Sequence, residues 1–106
     1  MEKRLKVKWS FAAEKSLKHI FDFYAEKSES AAFKIINEII EHAESISFYH
    51  QYQQDDIVEK YRRMIIRHYK IIYRSDKSSI YIIEVFDTRQ DPGKLMYLAE
   101  PQQASF

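Results

Sequence analysis

Fourteen residues from Tyr61 to Arg74, YRRMIIRHYKIIYR, constrain this chain more than any other stretch. They mix β-branched residues, aromatics and cations, with no acid, glycine or proline among them. Such residues fit a pleated, half-buried surface. Five Lys/Arg side chains and His68 in so short a run also ask for an anionic partner. The charge is local. Residues 59–77 carry seven Lys/Arg against Glu59 and Asp76, while each flank holds two more acids than bases.

The rest of the chain supplies the frame for that stretch. Leu5, Val7 and Trp9 alternate with Arg4, Lys6 and Lys8, the period-two pattern of a strand. Ser10 stands as an N-cap, and Ala13, Leu17, Ile20, Phe21 and Tyr24 then share one face at helical spacing. This predicts a helix over 11–27. A second, wider stripe (Ala32, Ile35, Ile36, Ile39, Ile40, Ala43, Ile46) predicts a helix over 30–46, forming an αα-hairpin with the first. Residues 47–57 lose periodicity and read as a loop. Strands follow at 58–67 and 69–75, with Arg67-His68 as the junction, and at 80–86 after the Asp76-Lys77-Ser78 turn. Asp91-Pro92-Gly93 marks a turn, and residues 94–99 either form a short terminal element or hang loose.

The expected fold is α+β, ordered β-α-α-β-β-β, in a single domain spanning 1–106. Its antiparallel sheet buries one face against the helical hairpin and leaves the other open. Tyr69, Ile71 and Tyr73 share a parity and are expected against the helices, with Lys70 and Arg74 facing outward.

Several chemistries drop out. The chain has no cysteine, which excludes disulfides, thiolate nucleophiles and Cys-ligated metal. Gly93 is the only glycine, so no glycine-rich phosphate loop exists. The four histidines fall in different elements without metal-ligand spacing, and neither metal nor cofactor is expected. Glu38 and His42, four apart on a helix, read as surface decoration. No apolar run reaches the roughly 7–15 residues of a signal peptide or the ~20 of a membrane span, so a cytoplasmic domain without membrane contact is expected. What the residues do support is metal-free phosphate chemistry or anion docking. Arginines hold phosphate bidentately, and a nearby His or Tyr can move a proton. Candidates are Arg62, Arg63, Arg67, Lys70, Arg74 and Arg89 for binding, with His68, Tyr69 and Tyr73 as proton carriers.

The pattern W-S-x-x-A-x-x-x-L-x-x-I (Trp9, Ser10, Ala13, Leu17, Ile20) comes first, then Ala31-Ala32. Y-R-R-x-x-x-x-x-Y-x-I-I-Y from Tyr61 to Tyr73 and V-F-D-T-R-Q-D-P from Val85 to Pro92 complete the series. In this order they resemble the RelE/ParE superfamily of type II toxin–antitoxin toxins, and ParE-like members more than RelE-like ones. The resemblance implies two alternatives. A ParE-like toxin would inhibit DNA gyrase by binding, in a plasmid-stabilisation system, and be neutralised by a cognate antitoxin. A RelE-like mRNA interferase would cut mRNA on the ribosome, with Arg62, Lys70 and Arg89 holding the phosphate and His68 or Tyr97 moving the proton. A third reading is a degenerate member retaining antitoxin binding alone. Tyr97 falls late in register for the interferase pattern, and the D-T-R-Q-D-P ending favours the ParE side. A toxin–antitoxin hetero-oligomer follows from either toxin reading.

Overall fold

A computed structural model describes residues 5–99 of the chain. The elements run β1 (Lys6–Trp9), α1 (Phe11–Ala25), α2 (Glu29–Glu44), β2 (Arg62–Ile66), β3 (Tyr69–Ser75) and β4 (Ser79–Asp87). A 3-10 turn at Tyr49–Gln51 precedes β2, and a 3-10 segment at Pro92–Ala99 follows β4. This is the expected α+β order, with the helical hairpin near the N-terminus.

Both helices start where small hydroxyl residues cap them. Ser10 Oγ accepts from Ala13 N at 3.0 Å and also donates to the Ile83 carbonyl at 2.8 Å. One side chain thereby satisfies an orphan helix amide and pins the start of α1 to β4. Ser28 caps α2 through Ala31 N at 3.2 Å. The helices close sooner than periodicity suggests, at Ala25 and Glu44; past the first, Lys27 N and Ser28 N both turn back to the Tyr24 carbonyl, and past the second Ile46 N bonds the Ala43 carbonyl at 3.1 Å.

The sheet order is β1-β4-β3-β2. The meander β2-β3-β4 is antiparallel, whereas β1 joins β4 in parallel, so the sheet is mixed. The chain between β1 and β4 includes both helices and is long enough for that crossover, which a hairpin is not. Between Ile72↔Glu84 and Tyr73↔Ile82 lies one extra residue, Ile83. This bulge shifts parity along β4. Ile80, Ile82 and then Val85 reach the helix side, while Ile83 and Phe86 reach the other.

Two apolar clusters result. The first packs Ala13, Ile39, Ala43 and Ile46 of the hairpin region onto Tyr69, Ile71, Tyr73, Ile80, Ile82 and Val85. The expected parity of β3 is borne out there. The second cluster corrects the open-face expectation. Val58 from the loop before β2, with Leu95 and Leu98 from the 3-10 segment, covers Ile72, Ile83 and Phe86 on the far face. Strand β2 also starts later than expected, at Arg62, because residues 58–61 form a turn closed by Tyr61 N to the Val58 carbonyl at 3.0 Å.

The β2–β3 hairpin turns on two residues, Arg67 and His68. Arg67 has φ 54°, the left-handed region, where glycine is the usual occupant of a tight hairpin. A side chain there costs roughly 1–2 kcal/mol of backbone strain. The Glu38 carboxylate of α2 offsets part of it, accepting from Arg67 Nη2 at 2.8 Å and Nε at 3.1 Å. Arg67→Gly is therefore expected to be more stable than Arg67→Ala by about 1 kcal/mol. Alanine loses the ion pair and keeps the strain; urea denaturation of the two variants measures the difference.

Candidate functional site

The basic stretch folds as β2, its hairpin turn and β3, and its cations go to different places. Arg62 lies opposite Tyr73, on the helix side of the sheet. Its guanidinium donates to the Tyr52 carbonyl at 2.8 Å and stacks 4.7 Å from the Tyr49 ring centre. Lys70 is on the other face and is only 6% exposed, which corrects the expectation that it faces outward. Its ammonium is 2.7 Å from Asp55 Oδ1.

Asp55 explains that burial. It is 1% exposed. Oδ2 accepts from the amides of Ile57 at 3.0 Å and Val58 at 2.8 Å, folding the loop back on itself. Arg63 adds a second cation, 3.5 Å from Asp55 and 2.6 Å from Asp56. Burial alone raises the Asp55 pKa, but the Lys70 ammonium and the two amides outweigh it and hold the carboxyl below its ordinary value. The loop is further tied by Asp55 N to the Tyr61 carbonyl at 2.9 Å and Arg63 N to the Gln53 carbonyl at 3.0 Å. Residues read from the sequence as structureless thus form a strap, fastened by an acid that presses Val58 onto the sheet.

The other candidates are also partnered. Arg67 pairs with Glu38, whose pKa is lowered by that hydrogen bond, so Glu38 is more than surface decoration. Arg89 follows β4 on the exposed surface and forms a two-pronged pair with Asp87, at 2.8 Å and 3.0 Å. That carboxylate drives the Arg89 pKa up, and Asp87 moves down in turn. Arg74 stacks 4.2 Å from the Tyr81 ring centre. His68 uses its carbonyl to accept from Thr88 N and Oγ1, at 2.8 Å and 2.7 Å, and lays its ring 4.2 Å from that of Tyr69. Tyr69 and Tyr73 are core residues. Burial first, then its contact with the Tyr24 hydroxyl, pushes the Tyr69 phenol up, and burial pushes Tyr73 up to about 12. Neither is suited to lose a proton near neutrality.

Tyr97 sits on the 3-10 segment and donates to Glu84 Oε2 at 2.6 Å. Burial, followed by that carboxylate, raises its pKa as well. The other oxygen of Glu84 accepts from Ser16 of α1 and from Val85 N. Glu84 therefore joins α1, β4 and the terminal segment, and it carries no signal in the sequence beyond being an acid inside an apolar strand. Two clefts of about 260 Å³ each run between α1 and the chain after β4, sharing His19, Ile20, Asp87 and Gln90. Tyr97 lines one and Arg89 the other; Arg62, His68 and Lys70 line neither. The five residues of the interferase set are not brought together. Among the described residues no cluster of His, Asp and Glu has a metal-binding arrangement, and no helix is long and apolar enough to cross a membrane.

A four-stranded mixed sheet carrying an N-terminal helical hairpin, with this basic β2–β3 meander, is the architecture of the RelE/ParE superfamily. A family model described as the ParE toxin of the type II toxin–antitoxin system parDE matches residues 7–92, and the chain belongs to that family. A solved structure titled "Chromosomal ParDE TA system from P. aeruginosa" has the same fold, with a TM-score of 0.69 over 77% of this chain and 94% of that one. Its sequence identity is 18%. No curated protein matches the sequence.

The Asp55–Lys70 pair yields a stability test. Asp55→Asn keeps an acceptor for the loop amides but leaves the Lys70 ammonium with only the exposed Asp56, 3.8 Å away, so the expected cost is below the about 3–5 kcal/mol of a fully unpaired buried charge. Replacing Lys70 by Met in that background is expected to recover most of the loss, as read by urea denaturation.

Proposed function

We propose that this chain is the toxin of a parDE-type pair, acting by binding DNA gyrase and held inactive by a cognate antitoxin. The observation that carries the reading is the dispersal of the interferase residues. Lys70 is sealed under Asp55, Arg62 is on the opposite face of the sheet, and the Tyr97 phenol is engaged by Glu84. Metal-free RNA cleavage needs cations and a proton carrier converging on one phosphate. Binding needs only a shaped surface, and the family's parDE membership supports it.

The antitoxin part of the reading is supported by the outer face of the hairpin. Phe11, Phe23 and Phe33 are 64%, 65% and 54% exposed, and Phe33 packs edge-on against Phe21 at 4.9 Å. Exposed aromatic side chains on the two helices suit the apolar face of an amphipathic partner segment.

Two assays, one on the purified chain and one in cells, test the proposal. Gyrase supercoiling is expected to be inhibited, and inhibition is expected to persist in Tyr97→Phe and to disappear on adding the antitoxin. Mapping of mRNA ends after induction is expected to show no new cleavage. New mRNA ends that vanish in Arg89→Ala and Lys70→Ala, with supercoiling untouched, would establish the interferase alternative instead. A chain that affects neither process while still binding antitoxin would be the degenerate member.

A further inference from the structure

Helix α1 and the chain after β4 leave a groove between them. Its two clefts share His19, Ile20, Asp87 and Gln90, so they run together as one channel. The α1 wall is Ser16, His19, Ile20 and Phe23, at i, i+3, i+4 and i+7, which is a single face of the helix. The opposite wall is the end of β4 and the chain beyond it, with Arg89 at one end and Lys94 and Leu95 at the other. The helix face runs for about 10 Å, room for about three residues of extended chain. His19, Phe23, Arg89, Gln90 and Lys94 are exposed, while Ile20, Val85 and Leu95 make the floor apolar.

Hydrogen bonding in this groove is one-sided. Its side-chain acceptors are engaged from within the protein. Glu84 accepts from Ser16, Val85 N and Tyr97, and Asp87 from the Arg89 side chain and, at 2.9 Å, the Arg89 amide. Gln90 Oε1 accepts from Lys94 Nζ at 3.4 Å. Two acids close by in the sequence line neither cleft and are also engaged, Asp22 by Lys18 at 2.9 Å and Asp91 by Gly93 N at 2.9 Å. The donors are not used up. Arg89 directs Nε and Nη2 at Asp87 and keeps Nη1, and Lys94 uses one of its three N–H groups. Among the described residues, the Gln90 amide nitrogen and the His19 ring have no hydrogen-bond partner.

We infer that this groove binds an acidic peptide segment of a protein partner, laid along α1 in extended form, with carboxylates on Arg89 and Lys94 and apolar side chains on Ile20 and Phe23. Surplus donors call for an acceptor-rich ligand. A carboxylate is the acceptor that guanidinium and ammonium groups hold through charge-assisted bonds. An extended chain sends successive side chains to opposite sides, so alternate residues reach the apolar floor while the others stay at the charged rim. Nucleic acid is acceptor-rich too, but it draws its affinity from many phosphate contacts. Two Lys/Arg side chains line the clefts, and Asp87 already pairs with one of them. The inference concerns a contact and does not depend on which process the toxin blocks.

Amide-resolved NMR titration of the full chain tests the inference, with the blocked peptide Ac-Glu-Leu-Glu-Leu-Glu-NH2 as probe. Saturable shifts are expected at residues 16–23 and 87–95. Arg89→Gln/Lys94→Gln is expected to weaken binding about fivefold, and the neutral probe Ac-Gln-Leu-Gln-Leu-Gln-NH2 to bind the wild type as weakly. Lys94→Gln alone leaves the Arg89–Asp87 pair in place, and is expected to weaken binding about twofold even if the double variant folds poorly. A control with equal charge loss elsewhere, Lys34→Gln/Lys77→Gln, is expected to bind like wild type. No saturable shift in the groove, equal binding of the neutral probe, an unchanged affinity in Lys94→Gln, or an equal loss in the control would each overturn the inference. So would a pentathymidylate probe that shifts the same residues at lower concentration than the acidic peptide, which would make the groove a nucleic-acid site.

Discussion

The ion pair between Asp55 and Lys70 decides what the far side of the sheet can be. Lys70 comes from the middle of a central strand, and Asp55 from a loop that the sequence leaves without pattern. A lysine at that position could stand out to solvent and offer its charge, or be drawn under a lid that carries a carboxylate. The second arrangement is found, and the lid's own amides bond the same carboxylate, so loop shape and charge neutralisation are one event. With the loop in place, Val58 meets Leu95 and Leu98 over Ile72 and Phe86, and the sheet has a core on both faces. Removing either charge takes from the other its nearest counter-charge and leaves a longer pair, Lys70 with Asp56 at 3.8 Å or Asp55 with Arg63 at 3.5 Å, which is more costly than removing both.

The same logic extends around the molecule. The positive stretch of the sequence meets acids from other elements, Asp55 and Asp56 from the strap and Glu38 from α2, while Arg89, outside the stretch, pairs with Asp87 two residues before it. Local charge density along a chain is not surface potential. At the opposite edge of the sheet, β1 contributes two exposed lysines, Lys6 and Lys8, that the basic stretch itself does not contain. The chain thus keeps the scaffold of the RelE/ParE superfamily while placing its strongest cations in structural roles, in line with a toxin that docks rather than cuts.

Much of the framework was legible because it rests on local rules. Alternation in β3 assigned Tyr69, Ile71 and Tyr73 to the helix side, and Ser10 announced the start of α1. The rest depended on contacts between residues far apart in the chain. The parallel pairing of β1 comes from the crossover through two helices, not from anything within Lys6–Trp9. The bulge at Ile83 flips parity without a glycine or proline to mark it, which is why the run YIIEVF shows no period-two alternation. Arg62 and Lys70 looked alike as cations on adjacent strands, yet the two-residue turn at Arg67-His68 puts them on opposite faces. Asp55 and Glu84 could be recognised only once their partners, 15 and 13 residues away in Lys70 and Tyr97, had been brought to them.

The central claim is that Lys70 is sealed beneath the strap by Asp55 rather than offered to a ligand. Lysine reactivity measured residue by residue, with a limiting amine-acylating reagent and peptide mass spectrometry, addresses it directly. Lys70 is expected to be modified far more slowly than Lys6, Lys8, Lys15 and Lys34 in the folded chain, and to match them only after denaturation. Modification of Lys70 at the rate of those exposed lysines in the native protein would contradict the account.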